Sequence, residues 1–364
     1  MKNIWLDVDP GHDDAIALML AIHCSNVNLI GVSTTHGNTS SSNTALNAAR
    51  CLNAFGAPEH IKVYPGATKP LILPAKHDPE IHGEDGLGGV EGLPSVNEDP
   101  SILKRFVVDE CGEQVRALEG MIKEIKRCWK NGKGEKVTLV TTGPMTNVAL
   151  FVSCYEDFVA EGGAVEEIVF MGGGVGLGNR SAVAEYNILT DPHATQIVLD
   201  CPVKVTMIPI NVTHTAIATH EIQYRLLTNS TAPSVLAQEL PPAKTRLRHT
   251  LNTIITFFAS TYKSVFQFHT GPPLHDALTI AYIQNPDLFK GKRYRVDVEL
   301  NIGGHCMGET VVDVWDYRAC RENTWGREGK NCFVVQDIDV PVFFDLFFDC
   351  VERCDQMSPL NQSR

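Results

Sequence analysis

At 364 residues, 43% of them hydrophobic, the chain can bury a large core, and it has a size at which single α/β domains are common. Its formal net charge of −12 disfavours binding to nucleic acid or to anionic membranes through bulk electrostatics. No apolar run of about 18 residues predicts a membrane span, and the first residues lack a secretory signal pattern. The 11 scattered cysteines contain no Cys-x-x-Cys pair, which is typical of buried thiols in a reducing compartment. We therefore expect a cytoplasmic enzyme, with the nucleus as a further location.

Short β-rich runs alternate with helical patterns over the first two hundred residues. In chain order they are the strand "NIWLDV", the helix "DDAIALMLAIHC", the strand "NLIGVSTTHGN", the helix "TALNAARCLNAFG", the strands "KVTLVTTG" and "EEIVFMGGG", the helix "DPHATQIVL" and a last strand, "KVTMIP". This alternation predicts an α/β fold with a mainly parallel central sheet flanked by helices, an open Rossmann-like architecture. Ligands bind such sheets outside the carboxyl ends of the strands.

The pattern changes after about residue 210. Segment 212–274 is predicted to be a largely helical insertion, and residues 293–316 alternate as a C-terminal β-hairpin around Gly303 and Gly304. The stretch "PVFFDLFFDCVERC" predicts a closing amphipathic helix. No repeat or Pro/Ser-rich linker requires a domain boundary, so we predict a single domain over residues 1–364.

Four aspartates crowd the end of the first predicted strand, in "LDVDPGHDDA": Asp7, Asp9, Asp13 and Asp14. Asp13 and Asp14 suit a helix N-terminus, where carboxylates cap free amides and favour the helix dipole. That explanation does not cover Asp7 and Asp9. Because alternate strand residues share a face, both can point toward the same region as the start of the helix. Clustered carboxylates suit a hard cation such as Ca²⁺ or Mg²⁺ better than zinc.

Three further segments carry groups that suit a site. "LHDALTIAY" places His275 and Asp276 at a predicted helix start, and "IHGEDGLGG" places His82 in a glycine-rich loop of the kind that closes over sites. "MGGGVGLGNRSAVAEYN" lacks the glycine spacing of a dinucleotide fingerprint, but it offers hydrogen-bonding groups suited to a sugar. For each segment a purely structural role stays open: a core histidine, a solvated loop histidine, or a loop held by its own side chains.

In this order the motifs resemble the nucleoside hydrolases, a family that cleaves the N-glycosidic bond of ribonucleosides with a bound calcium ion. The family signature DxDPGxDDA stands here as "DVDPGHDDA", followed by "HGN", "HGEDGLGG", "TTGPMTN", "MGGG" with "GNRSAVAEYN", and "HDA". The match runs from residue 4 to about residue 282, and the whole is most similar to the fungal uridine-preferring branch. This implies hydrolysis of uridine, with cytidine second, in nucleoside salvage and pyrimidine metabolism. Purine nucleosides and nicotinamide riboside remain alternative substrates.

The resemblance also implies the calcium ligands and the catalytic groups. Asp9, Asp14 and Asp276 would bind calcium together with the backbone carbonyl of Thr142. Asp9 would be the general base toward a calcium-bound water. His275 matches the histidine near the leaving base and is the candidate acid, because a histidine can carry a proton near neutral pH.

The resemblance implies a substrate-binding set as well: Asp13, Asn38, His82, Met171, Asn179, Glu185 and Asn187. His82 would approach the base or the 5′ side, and Met171 would lie against the sugar. Tyr262, in the segment that aligns least well, is a hydrogen-bonding or stacking candidate, whereas Phe257 and Phe258 fit an ordinary amphipathic helix. Family members are commonly dimers or tetramers, which implies a homodimer or homotetramer here.

Two other functions compete with this one. Haloacid-dehalogenase-like phosphatases also open with DxD after a strand, but their pattern requires Thr or Val two positions after the second Asp, where Gly11 stands here. A nucleoside-binding protein with a structural metal would bind nucleosides tightly without consuming them. The presence of both Asp9 and His275 argues against it.

Overall fold

Buried β-rich runs form the strands of the protein, as the alternating pattern predicts. The computed structural model describes residues 1–231, 239–321 and 324–362. The strands are β1 (Lys2–Val8), β2 (Val27–Thr34), β3 (Val63–Pro65), β4 (Val137–Thr141), β5 (Val165–Met171), β6 (Lys204–Ile208), β7 (Phe289–Tyr294), β8 (Val296–Val298), β9 (Thr310–Val312) and β10 (Cys332–Ile338). The five residues of β4 are all buried, as expected for a strand covered on both faces.

Helices connect and cover these strands. They are α1 (His12–His23), α2 (Ser41–Ala54), α3 (Pro79–His82), α4 (Ala117–Trp129), α5 (Thr146–Cys154), α6 (Tyr186–Thr190), α7 (Pro192–Leu199), α8 (Ile210–Thr213), α9 (His220–Thr228), α10 (Arg246–Phe266), α11 (Ala277–Gln284) and α12 (Val340–Met357). Helix α1 is buried along almost its whole length and packs against α2, α11 and α12. None of the described helices combines the length and apolarity that a membrane span requires.

The central sheet has the strand order β3-β2-β1-β4-β5-β6-β10-β7. All neighbouring strands run parallel except β7, which is antiparallel to β10 at the edge. This confirms the predicted mainly parallel α/β sheet flanked by helices. The expectation that β6 is the last strand is wrong, because β7 and β10 extend the sheet. Neither follows a strand–helix alternation, since the long excursion 295–331 separates them.

The predicted C-terminal hairpin is present in shortened form. Strands β8 and β9 pair antiparallel as a separate two-stranded sheet, with Gly303 in the connection at φ +86°. Residues 293 and 294 belong instead to β7 in the central sheet. The closing amphipathic helix is α12, and its buried face carries Phe343, Phe344, Phe347 and Phe348.

The predicted helical insertion is confirmed for the described part of segment 212–274, where α9 and α10 lie. Residues 232–238 of that segment fall outside the described residues. Helix α10 is 21 residues long and begins at a Thr245 side-chain cap. Its fully buried Arg248 pairs with Asp355 and Glu352 of α12, which ties the insertion to the end of the chain.

Candidate active site

The polar motifs lie together at the point where the strand order of the sheet reverses. Strands β2 and β3 lie on one side of β1, and β4 begins the other side, so β1 and β4 are neighbours that the chain does not connect directly. Asp9 follows β1 and Thr142 follows β4, and the Thr142 amide donates to the carbonyl of Asp7 at 3.0 Å. Crevices at such a reversal are where open α/β sheets bind ligands.

Three carboxylates converge at this crevice. Oxygens of Asp13, Asp14 and Asp276 lie within 4.8 Å of one another, and all three residues are buried. Asp13 and Asp14 belong to the first turn of α1, and Asp276 is the residue just before α11. Because α1 packs on α11, a chain separation of more than 260 residues becomes a direct contact.

Asp9 lies beside this group with its own set of contacts. Its Oδ2 accepts from the Asn38 amide at 2.8 Å, while its Oδ1 is buried without a hydrogen-bond partner among the described residues. Glycines make room for this carboxylate: a Cβ at Gly37 would lie 1.9 Å from Oδ2, and one at Gly143 would lie 2.3 Å from Oδ1. Any larger residue at either position would displace Asp9.

Burial raises the pKa values of the clustered carboxyls. Desolvation, followed by the charge of Asp14, raises the pKa of Asp13 to about 8 and that of Asp9 well above its usual range. The pKa of Asp276 is also raised well above its usual range, mainly by burial and then by the charge of Asp13. Arg180, which lines the same pocket, is paired with Asp78 and not with these acids. A bound cation would oppose these shifts and stabilise the ionised carboxylates.

The donor chemistry fits a hard divalent cation. Every candidate ligand here is an oxygen, and the Oδ1 atoms of Asp9 and Asp13 are buried without hydrogen-bond partners in the described chain. Carboxylates and a backbone carbonyl are typical Ca²⁺ ligands. The Thr142 carbonyl accepts from Asn187 Nδ2 at 2.7 Å and retains a second lone pair.

Asp7 is held by hydrogen bonds to residues outside the cluster. It accepts hydrogen bonds from Ser33 Oγ and, at 2.8 Å, from Asn147 Nδ2. Burial, which outweighs these two bonds, raises its pKa to about 6. Its contacts join β1 to β2 and α5, so Asp7 supports the strand end that carries Asp9.

Polar residues with unused hydrogen-bonding atoms surround the cluster. Asn38 uses Nδ2 to donate to Asp9 O and Asp14 Oδ2, and Asn187 uses Nδ2 on Thr142 O and Met171 O. Both amides therefore keep their Oδ1 free within the described chain. Asn179 accepts from the Tyr186 amide through Oδ1 and keeps Nδ2 as a donor. Such a set can bind the hydroxyls of a sugar.

Glu185 anchors the loop after β5. Its carboxylate caps α6 and accepts from the amides of Gly173, Asn187 and Ile188 at 2.9–3.2 Å. Burial still raises its pKa to about 7. No helix follows β5 until α6, which agrees with the rejection of a dinucleotide fingerprint in this segment.

Both ring nitrogens of His275 have partners. Thr213 Oγ1 lies 2.6 Å from Nδ1, and the Tyr262 hydroxyl lies 2.6 Å from Nε2. Burial, then the neighbouring His214, lowers the pKa of His275 well below its usual range. Burial raises the pKa of Tyr262, so its hydroxyl keeps its proton. Tyr262 is thus a hydrogen-bonding residue joined to His275, and α10 supplies it from the segment that aligned least well.

His82 ends α3 and is buried against α1 and α10. Its ring lies 5.5 Å from that of His12 and 5.4 Å from that of Phe258. Phe258 is buried, as expected for an amphipathic helix. Phe257 is only half-buried and packs on His12 and on the glycine-rich segment that follows His82.

One cavity is lined by nearly all the predicted residues. Those that line it are Asp13, Asn38, His82, Thr142, Met171, Asn179, Glu185, Asn187, Tyr262, His275 and Asp276. Asp9 and Asp14 lie beneath this lining and contact it through Asn38 and Thr142.

The same cavity has lining residues that the motifs did not predict. These are Asp78, Ile81, Arg180, Tyr186 and Phe266. Arg180 and Asp78 form an ion pair across the rim, with Glu80 3.8 Å from the guanidinium and the Phe266 ring 5.6 Å beneath it. Arg180 stands inside the quoted "GNRSAVAEYN", so its position was a usable signal. Asp78 precedes the histidine loop in a stretch without a pattern, and only the fold brings it to the site.

The chain was compared with known proteins. A family profile described as inosine-uridine preferring nucleoside hydrolase matches residues 4–345. The chain is 35% identical to a probable ribonucleoside hydrolase of Dictyostelium discoideum, covering 96% of this chain and 94% of that protein. It is 30% identical to a uridine nucleosidase of Saccharomyces cerevisiae, covering 98% of each.

A solved structure agrees with the sequence matches. It is a purine-preferring ribonucleoside hydrolase from Gardnerella vaginalis, with a TM-score of 0.78 and 27% identity over 98% of this chain and 100% of that one. With the profile match across most of the chain, and with the family's motifs gathered in one cavity, the protein belongs to the inosine-uridine preferring nucleoside hydrolase family, whose members hydrolyse ribonucleosides.

Proposed function

We propose that this enzyme hydrolyses the N-glycosidic bond of uridine, with cytidine as its second substrate, releasing ribose and the free base with the help of Ca²⁺. The observation that carries the proposal is the cavity in which buried carboxylates face amides with free hydrogen-bonding atoms and a paired Tyr262 and His275. A nucleoside needs all three: a charged centre, a sugar-binding wall and a polar group near the base.

The carboxylates of Asp9, Asp14 and Asp276 and the carbonyl of Thr142 would hold the ion. When bound, Ca²⁺ supplies positive charge that keeps the carboxylates ionised, positions water and binds sugar hydroxyls. The family resemblance implies that the 2′- and 3′-hydroxyls would be bound there, so we expect 2′-deoxynucleosides to be poor substrates. Three carboxylates exceed one divalent cation by a unit of negative charge.

Asp9 would take the proton from the attacking water. Its Oδ1 is buried without a hydrogen-bond partner among the described residues, while Oδ2 is fixed by the Asn38 amide. A base needs one free lone pair and a fixed orientation, and Asp9 has both. Departure of the base builds positive charge on the ribose ring, as in O-glycoside cleavage. The surplus negative charge beneath the sugar favours that transition state.

The ribose would lie on the wall formed by Asp13, Asn38, Asn179, Glu185 and Asn187. Asn38 and Asn187 offer amide oxygens to hydroxyl protons, Asn179 offers its Nδ2, and Asp13 offers its unpartnered Oδ1. Met171 lies at the end of β5 with its sulfur 3.6 Å from Asn187 Nδ2. An apolar thioether there suits the face of the sugar ring.

The leaving base would receive its proton from the pair formed by Tyr262 and His275. Because the Tyr262 hydroxyl contacts His275 Nε2, a proton from the imidazole would reach the pocket through that hydroxyl. Burial keeps the resting imidazole neutral, so His275 would pass on its Nε2 proton as Nδ1 takes up a solvent proton through the Thr213 hydroxyl, and the ring would stay neutral. We assign His275 as the acid acting through Tyr262, and His82 as the second polar group on the base side.

Pyrimidine preference is supported by the full-length similarity to a uridine nucleosidase, whereas the purine-preferring neighbour supports purines at lower sequence identity. A substrate panel tests this: uridine, cytidine, inosine, adenosine, nicotinamide riboside and the 2′-deoxy forms, compared by kcat/KM. We expect uridine to lead and the deoxy forms to trail. A higher kcat/KM for inosine or adenosine would overturn the pyrimidine preference but leave hydrolysis intact. Tight binding without turnover would overturn the enzymatic mechanism.

We also propose one domain over residues 1–364, acting in the cytoplasm as a homodimer or homotetramer. One hydrophobic cluster joins residues of β1 to residues of α12, which supports a single folding unit. The oligomeric state rests on the family resemblance. Light scattering coupled to size-exclusion chromatography tests it, and a monomer at micromolar concentration would contradict it.

A further inference from the structure

His12 connects three parts of the site that the proposed function treats separately. It is the first residue of α1 and is buried. Its Nε2 lies 3.0 Å from the Gly88 carbonyl, and its Nδ1 lies 3.3 Å from Nδ1 of His82. Its ring stacks almost parallel on Phe257 of α10, with centroids 4.9 Å apart and an interplanar angle of 9°. The imidazole of His12 thus links α1, the helix that bears Asp13 and Asp14, to His82, to Gly88 and to α10.

The contact with Gly88 fixes where His12 carries its proton. A backbone carbonyl only accepts, so His12 Nε2 must be the donor. No carboxylate lies within hydrogen-bond distance of either His12 ring nitrogen in the described chain, so no partner there stabilises a second proton and the ring is neutral. A neutral imidazole has one donor and one acceptor, so Nδ1 of His12 is an acceptor.

That assignment determines the neighbouring ring. Two unprotonated nitrogens 3.3 Å apart would place lone pair against lone pair, so Nδ1 of His82 must carry the proton that His12 accepts. A competing contact exists, because the His12 amide points at the same His82 nitrogen from 3.4 Å. Both contacts are slightly longer than the usual N–H range, so their lengths do not decide between them, but the amide contact would leave the repulsive nitrogen pair in place. The ring-to-ring hydrogen bond is therefore the favoured one.

We propose that His12 is a positioning residue, which fixes the His82 proton on Nδ1 and holds the glycine-rich segment 83–92 closed against α10. The inference deepens the proposed function, on which it rests for the substrate contact of His82. In this tautomer Nε2 of His82 is an acceptor on the ring edge away from His12. His82 lines the cavity, and Nε2 has no hydrogen-bond partner among the described residues. The site would then select a nucleoside that presents an N–H or O–H to that nitrogen.

The packing of segment 83–92 agrees with a latch at His12, by which we mean that His12 holds this segment against α10. A Cβ at Gly88 would lie 2.8 Å from Phe257 Cζ, and one at Gly89 would lie 2.4 Å from Phe257 Cδ2. These two glycines thus let the segment lie directly on the ring that stacks on His12. A Cβ at Gly11 would likewise lie 2.4 Å from His82 Nδ1, so the two histidines meet only because Gly11 precedes His12.

Three substitutions separate the two roles of His12. His12→Asn retains an acceptor near the Nδ1 position but loses the donor to Gly88. His12→Gln retains a donor near the Nε2 position but loses the acceptor to His82. His12→Phe keeps only the stacking. The matched control is His23→Phe, because His23 Nε2 makes a similar contact of 2.8 Å with the Phe55 carbonyl at the other end of the same helix.

The direct test is ¹⁵N NMR of histidine-labelled protein without substrate, with the His82 signals assigned through His82→Gln. We expect the proton on Nδ1 of His82 in the wild type, in His12→Asn and in His23→Phe. It should move to Nε2 in His12→Gln and His12→Phe, where the residue-12 amide becomes the partner of Nδ1. A proton on Nε2 of His82 in the wild type would overturn the inference, even if no variant folds.

Hydrogen exchange and kinetics test the latch and its consequence. Amides of segment 83–92 should exchange faster in His12→Phe and His12→Asn but stay protected in His12→Gln. For uridine, His12→Phe should raise KM about tenfold with a smaller change in kcat, whereas the control His23→Phe should leave both near the wild type. Equal exchange in all variants would overturn the latch. The NMR and exchange results need no turnover, so a wrong substrate assignment would appear in the kinetics alone.

Discussion

Asp9 differs from the other site aspartates in what its carboxylate contacts. One oxygen is fixed by the Asn38 amide, and the other has no hydrogen-bond partner among the described residues. Asp9→Asn keeps the shape but removes the base, so we expect kcat for uridine to fall by about 10²- to 10⁴-fold. Asp7→Asn is the matched comparison, because Asp7 bonds to Ser33 and Asn147 away from the cavity. It should lower thermal stability more than kcat, and near-normal turnover of Asp9→Asn would contradict the mechanism.

The pair of Tyr262 and His275 predicts a dependence on the leaving group. His275→Ala and Tyr262→Phe both break the hydrogen bond of 2.6 Å between them. Each should lose most of its turnover on uridine and much less on nitrophenyl riboside, whose leaving group needs no proton. Steady-state kcat on the two substrates is the measurement. Equal losses on both would exclude His275 as the acid, and a loss confined to His275→Ala would exclude the relay through Tyr262.

Glu185 predicts how stability changes with pH. Burial raises its folded-state pKa to about 7 from an ordinary 4.5, so the native state binds a proton that the unfolded state releases. The stabilisation is complete at low pH and is lost as pH rises through about 7, by at most about 3 kcal/mol. The difference in unfolding free energy between wild type and Glu185→Gln should therefore fall from about pH 5 to about pH 8. Denaturant titrations in chelator measure it, and a constant difference would contradict the assigned burial.

The loops that frame the cavity are joined by one ion pair. Arg180 belongs to the loop after β5, and Asp78 immediately precedes α3, whose last residue is His82. The Asp78 carbonyl also accepts from the His82 amide at 3.0 Å, so the pair fixes the start of the histidine segment. The rim is thus held by elements that are more than 100 residues apart in the chain.

We expect Arg180→Met to open this rim and raise KM for uridine severalfold, with kcat changed less. Asp78→Asn should do the same, and the double variant should add little to either change. The double-mutant cycle on kcat/KM should give a coupling of about 1 kcal/mol that shrinks in high salt. Arg225→Met is a suitable control, since its ion pair with Asp345 joins α9 to α12 and neither residue lines the cavity. Additive effects of the rim substitutions would exclude a functional contact between the two loops.

At the scale of the whole molecule, the site joins the first residues of the chain to α11. Without a cation, four buried carboxylates repel one another where α1 meets α11. Exhaustive chelation should abolish uridine hydrolysis and lower the melting temperature, and Ca²⁺ should restore both. At a calcium concentration of 100 times Kd the expected stabilisation is about 2.7 kcal/mol. Calorimetry with and without chelator measures it, and unchanged activity after chelation would exclude the metal role.

The sequence by itself determined the sheet and the chemistry of its carboxyl ends. Apolar runs that alternate with helices specify a parallel sheet covered on both faces, because such strands must be buried on both sides. The motifs after those strands identified most of the residues that line the cavity, since the ends of parallel strands meet at one edge. Strands β7 and β10 were not predicted because the described chain between them contains no helix, only β8, β9 and their connections.

Only the tertiary structure decided which residues meet across the chain. It brought Asp276 to Asp13 and Asp14, Tyr262 to His275, Asp78 to Arg180, and His12 to His82. It also gave Asp7 two hydrogen-bond partners, Ser33 and Asn147, that lie outside the cluster. These contacts depend on helix packing and loop paths, which carry no local periodicity that a sequence pattern could reveal. Proton positions and roles at the site follow from those contacts, and so they could be derived only after the fold was known.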